Sequence, residues 1–190
     1  MRQIDFHLPE ALDKQFDVLV NAYTLDDKEA IKMGAAVGNR GWLEFEEFLT
    51  IAKWKSARPT PRYEENSKEG VIEVSKCAFS AAHDLERIVI LTELAGVRVR
   101  TATAILHLCF PQRFPMLDIW TVAAMGIPRE QSEKWDDVDW LRAWLDYAKI
   151  CRDYALKSGH DLRSIDRALW AYAERAGSKR LPREANSSES

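Results

Sequence analysis

The stretch Leu91-Thr92-Glu93-Leu94-Ala95-Gly96-Val97-Arg98-Val99-Arg100-Thr101-Ala102-Thr103-Ala104-Ile105-Leu106-His107-Leu108 decides how the chain folds. Helical patterning over 84–93 stops at Ala95-Gly96-Val97-Arg98 and resumes over 99–109. The small residues Ala102 and Ala104 let two helices joined by so short a turn pack closely. Such a hairpin aims backbone N–H groups outward at the start of the second helix. Those donors, with the helix dipole, bind a phosphate without sequence preference. The plain alternative is an ordinary corner in a helical bundle.

Outward from this stretch the helical habit continues in both directions. Leu12, Phe16, Leu19, Val20 and Tyr23 carry amphipathic spacing over 9–24. Further helices are expected over 27–37, 43–55 and 67–82, with Gly38-Asn39-Arg40-Gly41 as a turn. Residues 57–66 hold Pro59 and Pro61, which predicts a loop without regular helix. Pro111 and Pro115 make 110–117 a second loop, and Asp118 is placed to cap a helix running to Met125. Long amphipathic helices over 137–157 and 161–176 close the pattern. No run alternates convincingly as a strand does, so the fold class is all-α. The stretch 178–190 reads as a disordered tail in which Lys179, Arg180 and Arg183 add loose attraction for DNA.

The 190 residues are 46% hydrophobic and 30% charged, which excludes a disordered chain and suits one domain over 1–177. Twenty-seven Lys and Arg against 30 Asp and Glu give a net charge of −3, so nucleic-acid binding by bulk charge is excluded and only a local basic patch would serve. Residues 95–117 hold such a patch, with Arg98, Arg100 and Arg113 and no acidic side chain. Cys77, Cys109 and Cys151 are odd in number and widely spaced, reading as inert buried thiols rather than disulfides or metal ligands. The four histidines lack zinc-site spacing, and no metal is expected. The N-terminus has no signal-peptide core and no segment approaches membrane-spanning length, so the chain reads as cytoplasmic with no membrane partner.

Asp118 lies eighteen positions after Arg100, at the end of Phe114-Pro115-Met116-Leu117-Asp118. Hairpin, proline-bearing loop and aspartate together resemble the helix–hairpin–helix (HhH-GPD, endonuclease III-like) DNA glycosylase superfamily. Leu94-Ala95-Gly96-Val97-Arg98 matches its Leu-Pro-Gly-Val-Gly hairpin, with Ala95 and Arg98 replacing proline and the second glycine. Thr101-Ala102 matches the small pair that follows, Pro115 the loop proline and Asp118 the catalytic aspartate. The resemblance implies a two-lobed helical fold with a cleft between the lobes, the hairpin motif at about 85–109 and the catalytic loop at 110–118.

It further implies a monomeric enzyme that acts on DNA and releases a flipped base. Arg100 stands where bifunctional members carry a lysine; a guanidinium stays protonated and forms no Schiff base, so a monofunctional glycosylase without lyase activity is expected. The clustered cysteines of iron–sulfur members are missing. No cofactor is expected beyond a monovalent cation at the hairpin. The role is base-excision repair, or phage defence if the excised base is hypermodified. A non-enzymatic helix–hairpin–helix DNA-binding module is the alternative.

The resemblance assigns catalysis to Asp118, which would stabilise the positive charge left on deoxyribose as the base departs and orient the attacking water. Gly96, Val97, Arg98, Arg100, Thr101 and Arg113 are the candidate DNA contacts. Trp54, Lys55, Arg58, Tyr63 and Trp120 are candidates for the base pocket or for stacking, since base flipping needs aromatic surfaces. Trp54 reads equally as a core anchor, and Trp120 also reads as core. His107, between Leu106 and Leu108, reads as a satisfied core histidine. Trp42, Trp135, Trp140, Trp144 and Trp170 read as helix packing, and Asp166-Arg167 as a structural ion pair.

Overall fold

Helix α7 (Val99–Cys109) is the axis of the molecule, because its sequence is apolar or small on all sides. Every one of its residues except Arg100 is buried, as expected of a helix without a polar face. The computed structural model describes residues 4–178 and contains, among these, helices and no strand. Before α7 come α1 (Ala11–Asn21), α2 (Lys28–Arg40), α3 (Phe45–Lys55), α4 (Thr60–Tyr63), α5 (Lys68–Ser80) and α6 (Asp84–Leu91). After it come α8 (Ile119–Ala124), α9 (Arg129–Ser132), α10 (Asp137–Ser158) and α11 (Leu162–Ser178). The all-α reading is thus met. The tail, with Lys179, Arg180 and Arg183, lies outside the described residues. Among those described, no helix is long and apolar enough to cross a membrane.

Glycines set the closest packing. Gly34 and Gly38, one turn apart on α2, lie against the end of α7; the turn expected over 38–41 is corrected, since α2 continues to Arg40 and only Gly41, at φ +90°, leaves the helix. A Cβ on Gly34 would sit 2.4 Å from the Leu108 carbonyl oxygen, and one on Gly38 2.1 Å from that of Cys109. No side chain fits there, so the glycines let α2 approach α7 backbone to backbone. Helix α3 packs on both α2 and α7, and α6 on α5 and α7. On the other side, α11 packs against α1, α8 and α10, and α10 also reaches α7.

The turn between α6 and α7 is held by two residues outside it. Gly96 has φ +82°, and an added Cβ would meet the Tyr63 ring at 2.7 Å. Asn66 accepts from the Ala95 N–H at 2.8 Å and donates to the Ala95 carbonyl at 3.1 Å, closing the turn as a neighbouring strand would. Both anchors belong to the 57–66 region expected as a plain loop. That expectation is corrected: Thr60–Tyr63 forms one helical turn, with Pro61 in the first turn, where a missing N–H costs nothing. Two smaller corrections concern other side chains. Cys77 is exposed rather than buried. Trp42 and Trp135 stand in connections, half-buried, rather than on helices.

Candidate functional site

After an exposed turn over 111–113, residues 114–117 are buried outside any helix, and side chains satisfy their backbone groups. His107, fully enclosed, bonds the Phe114 carbonyl through Nδ1 at 2.7 Å. Burial pushes its pKa down to about 3, so the ring is neutral and Nδ1 carries the donated proton. Trp144 Nε1 donates to the Pro115 carbonyl at 3.2 Å, and the Leu117 N–H donates to Thr103 Oγ1 at 3.3 Å. Three side chains of α7 and α10 thereby fix the loop one residue before Asp118.

Asp118 then caps α8. Its Oδ1 accepts from the N–H groups of Trp120 at 2.8 Å and Thr121 at 2.9 Å, while its own N–H donates to Thr121 Oγ1 at 3.0 Å. This reciprocal pattern fixes the carboxyl's orientation. The second oxygen, Oδ2, accepts from Lys55 Nζ at 2.9 Å. Both side chains are largely enclosed, Lys55 at 11% and Asp118 at 16% exposure. Burial alone would raise the carboxyl pKa, but the Lys55 ammonium and the two N–H donors outweigh it and hold the group below its ordinary range. Asp118 is therefore ionised at neutral pH.

One cavity is lined by this pair and a second by its chain neighbours. The smaller, about 150 Å³, is walled by Tyr23, Trp54, Trp120 and Trp170, with Leu25 and Met116, and carries Lys55, Asp118 and Asp166. Tyr23 and Trp120 both pack against Trp170, at ring separations of 5.3 and 6.0 Å. Arg163 backs this wall, binding Asp166, Asp27 and the Tyr23 hydroxyl. Asp166 is nearly inaccessible; burial raises its pKa to about 6 despite Arg163. The larger cavity, about 870 Å³, begins at Ser56 and Ile119, the residues next to Lys55 and Asp118. Four guanidinium groups line it, from Arg58, Arg98, Arg100 and Arg129, against the carboxylates of Glu133 and Asp137. Arg98 pairs with Asp137 at 2.9 Å, and Arg100 lies over the Trp140 ring at 5.1 Å.

The sequence candidates therefore separate cleanly. Asp118, Lys55, Trp54 and Trp120 share the small cavity, and Arg58, Arg98 and Arg100 the large one. Tyr63 is fully buried and props Gly96 rather than facing either cavity. Val97 and Thr101 are also buried, which leaves Val97 and Gly96 only backbone groups to offer. Arg113 lines neither cavity; it donates to Asp84, which Arg152 holds from the other oxygen. Asp166 pairs with Arg163, and Arg167 with Asp27, instead of the two neighbours pairing with each other.

Sequence reading missed Tyr23, Trp170, Arg129 and Asp166. For Asp166 a signal existed: it falls on the Leu162–Ile165–Leu169 stripe of α11, where an acidic side chain is out of place without a partner. No protein-family model matches the chain, and no curated protein or solved structure matches it.

Proposed function

We propose that the chain is a DNA glycosylase that hydrolyses the N-glycosidic bond of a modified or damaged base turned out of the duplex, leaving an abasic site. The observation that carries this reading is the Lys55–Asp118 pair in an aromatic cavity, with its chain neighbours Ser56 and Ile119 lining an arginine-rich groove. In any nucleotide the sugar lies between base and phosphate. A strand whose phosphates follow the arginines and whose base enters the aromatic cavity sets its C1′ against Asp118. Arginine suits the first task, and stacking on Trp and Tyr the second.

A departing base leaves positive charge on the sugar. An oriented, ionised carboxylate stabilises that charge and positions the attacking water. Asp118 has both properties before substrate arrives, because Lys55, Thr121 and Trp120 fix its charge and its direction. The cavity of about 150 Å³ lies below the roughly 300–1,000 Å³ of most small-molecule sites, the scale of a base rather than a whole nucleotide.

The endonuclease III-like arrangement of two helical lobes is supported by the packing. Helices α2 to α7 associate with one another, while α1 joins α8, α10 and α11. Lys55 comes from the first group and Asp118 from the second, as a catalytic cleft between lobes requires.

The test is release of free base, read by mass spectrometry, from duplexes carrying alkylated, deaminated or hypermodified bases. Release from at least one is expected. Salt-sensitive DNA binding with no release from any duplex would favour the non-enzymatic binding module.

A further inference from the structure

Past the C-terminal end of α7, at the opposite end of that helix from the hairpin, gather four charged side chains that line neither cavity. Asp84 opens α6, Arg87 follows on the same helix, Arg113 lies in the turn after α7, and Arg152 comes from α10. Arg113 Nε donates to Asp84 Oδ1 at 3.0 Å, and Arg152 Nη2 donates to Oδ2 at 2.7 Å. Arg152 also donates through Nε to the Arg113 carbonyl at 2.9 Å. One carboxylate thus orients two guanidiniums but balances the charge of only one. Glu86, the other acid on this turn of α6, accepts from the His83 N–H instead.

Arg87 is the member that nothing balances. No described residue gives it a hydrogen bond or ion pair, and its enclosed Nε is unpartnered. Burial and the neighbouring Arg113 charge lower its pKa, and Asp84 offsets them only in part. An aromatic floor supports the group: Arg87 and Arg113 lie against the Phe114 ring, at 5.9 and 5.1 Å, and Arg152 against the Trp144 ring at 5.6 Å. Such contacts hold a guanidinium in place without neutralising it. Both rings are themselves buried, which leaves no aromatic face for a base. Arg113 and Arg152 stay open to solvent, at 47% and 35% exposure.

We propose that Arg87, Arg113 and Arg152 bind a phosphate dianion, supplied as inorganic phosphate or as a small phosphomonoester, at a site separate from the DNA groove. Three guanidiniums against one carboxylate leave two positive charges, which match a dianion and exceed the single charge of a phosphodiester. The planar fork of arginine suits phosphate oxygens. Asp84 already orients two of the three forks, which lowers the cost of ordering them on binding. A bound dianion bridges α6 and α10 to the turn that leads into Phe114-Pro115-Met116-Leu117-Asp118. The site stands independently of the glycosylase reading, since it draws on none of the residues in either cavity.

Isothermal titration calorimetry of the full chain at about pH 8 tests this, because phosphomonoesters lose their second proton at roughly pH 6. Inorganic phosphate and methyl phosphate are titrated as dianions, and dimethyl phosphate as the singly charged diester. Saturable binding of a dianion is expected, with dimethyl phosphate weaker. Binding of inorganic phosphate alone identifies the free ion as the ligand, and binding of methyl phosphate admits the monoester. Arg87→Gln removes no hydrogen bond or ion pair to a described residue and is expected to weaken binding about tenfold or more, the scale of one charge-assisted hydrogen bond. Arg100→Gln, in the DNA groove, leaves the affinity unchanged. No saturable binding, equal affinity for dimethyl phosphate, or a loss in Arg100→Gln without one in Arg87→Gln overturns the proposal. Should Arg87→Gln fail to fold, the ranking of the anions together with Arg100→Gln decides.

Discussion

Lys55 Nζ lies 2.9 Å from Asp118 Oδ2, although 63 residues separate them in the chain. The ammonium ends one helix and the carboxylate begins another, so the pair records how α3 and α8 are set against each other. It also gives the carboxylate a pH dependence that can be measured.

Replacing Lys55 with Ala removes the cation that, with the two N–H donors, holds the Asp118 pKa below its usual range. The acid limb of the base-release profile is expected to move to higher pH, because the opposite charge that favours the ionised form is gone. Stability follows the same sign. A depressed carboxylate contributes at neutral pH, and its contribution is lost as pH falls through the lowered value. Profiles of kcat/KM against pH for the two proteins check this; coincident acid limbs would count against the pairing.

Gly96→Ala combines a left-handed backbone with a collision, since the new Cβ meets the buried Tyr63 ring. The turn strain alone amounts to about 1–3 kcal/mol. A fall in Tm is expected, together with weaker DNA binding as the turn loses its shape. Thermal unfolding followed by circular dichroism, beside a binding titration, measures both.

Protonating His107 is opposed by the fold. The free side chain titrates near 6.5 and the buried one at about 3. Between these values the unfolded chain holds a proton that the native chain does not, so stability declines as pH falls below 6.5. Asp166 acts in the opposite sense. With its pKa raised to about 6, its contribution is present at low pH and is lost as pH rises through 6. His107→Asn retains a donor for the Phe114 carbonyl and removes the titration. Its Tm is expected to be lower at pH 7.5 and to fall less steeply between pH 7 and 6, which a Tm series across that interval reads directly.

The arginine groove predicts salt dependence. Arg58→Gln and Arg100→Gln should each weaken DNA binding and reduce the slope of log K against log salt by about 1. Arg113 is committed to Asp84, so Arg113→Gln should lower Tm and leave that slope unchanged. Affinities measured across a salt series separate the two cases.

These contrasts show what the sequence could and could not convey. The range 99–109 coincides with α7 because its boundaries are written locally, by a glycine turn before it and a proline after it. Asp118 as a cap was legible for the same reason: an aspartate followed by helical residues supplies its own acceptor. Arg113 and Tyr63 stand apart from both cavities, and composition could not foretell this, because it marks a residue as basic or aromatic but does not say what it meets. An aspartate 29 residues away claims the first, and the glycine of the hairpin claims the second. Tyr23 and Trp170 were out of reach altogether. They join the aromatic wall only because α11 folds back against α1 and α8, a long-range event that local periodicity does not encode.

Asp118→Asn keeps the side-chain oxygen that caps α8 while removing the charge. Base release and DNA affinity are to be measured on one lesion duplex that the unsubstituted protein processes. Release is expected to fall by about 10²–10⁴-fold, the scale of a general acid–base contribution, with affinity within a few fold of the original. Undiminished release, or equal loss of affinity and release, would contradict it.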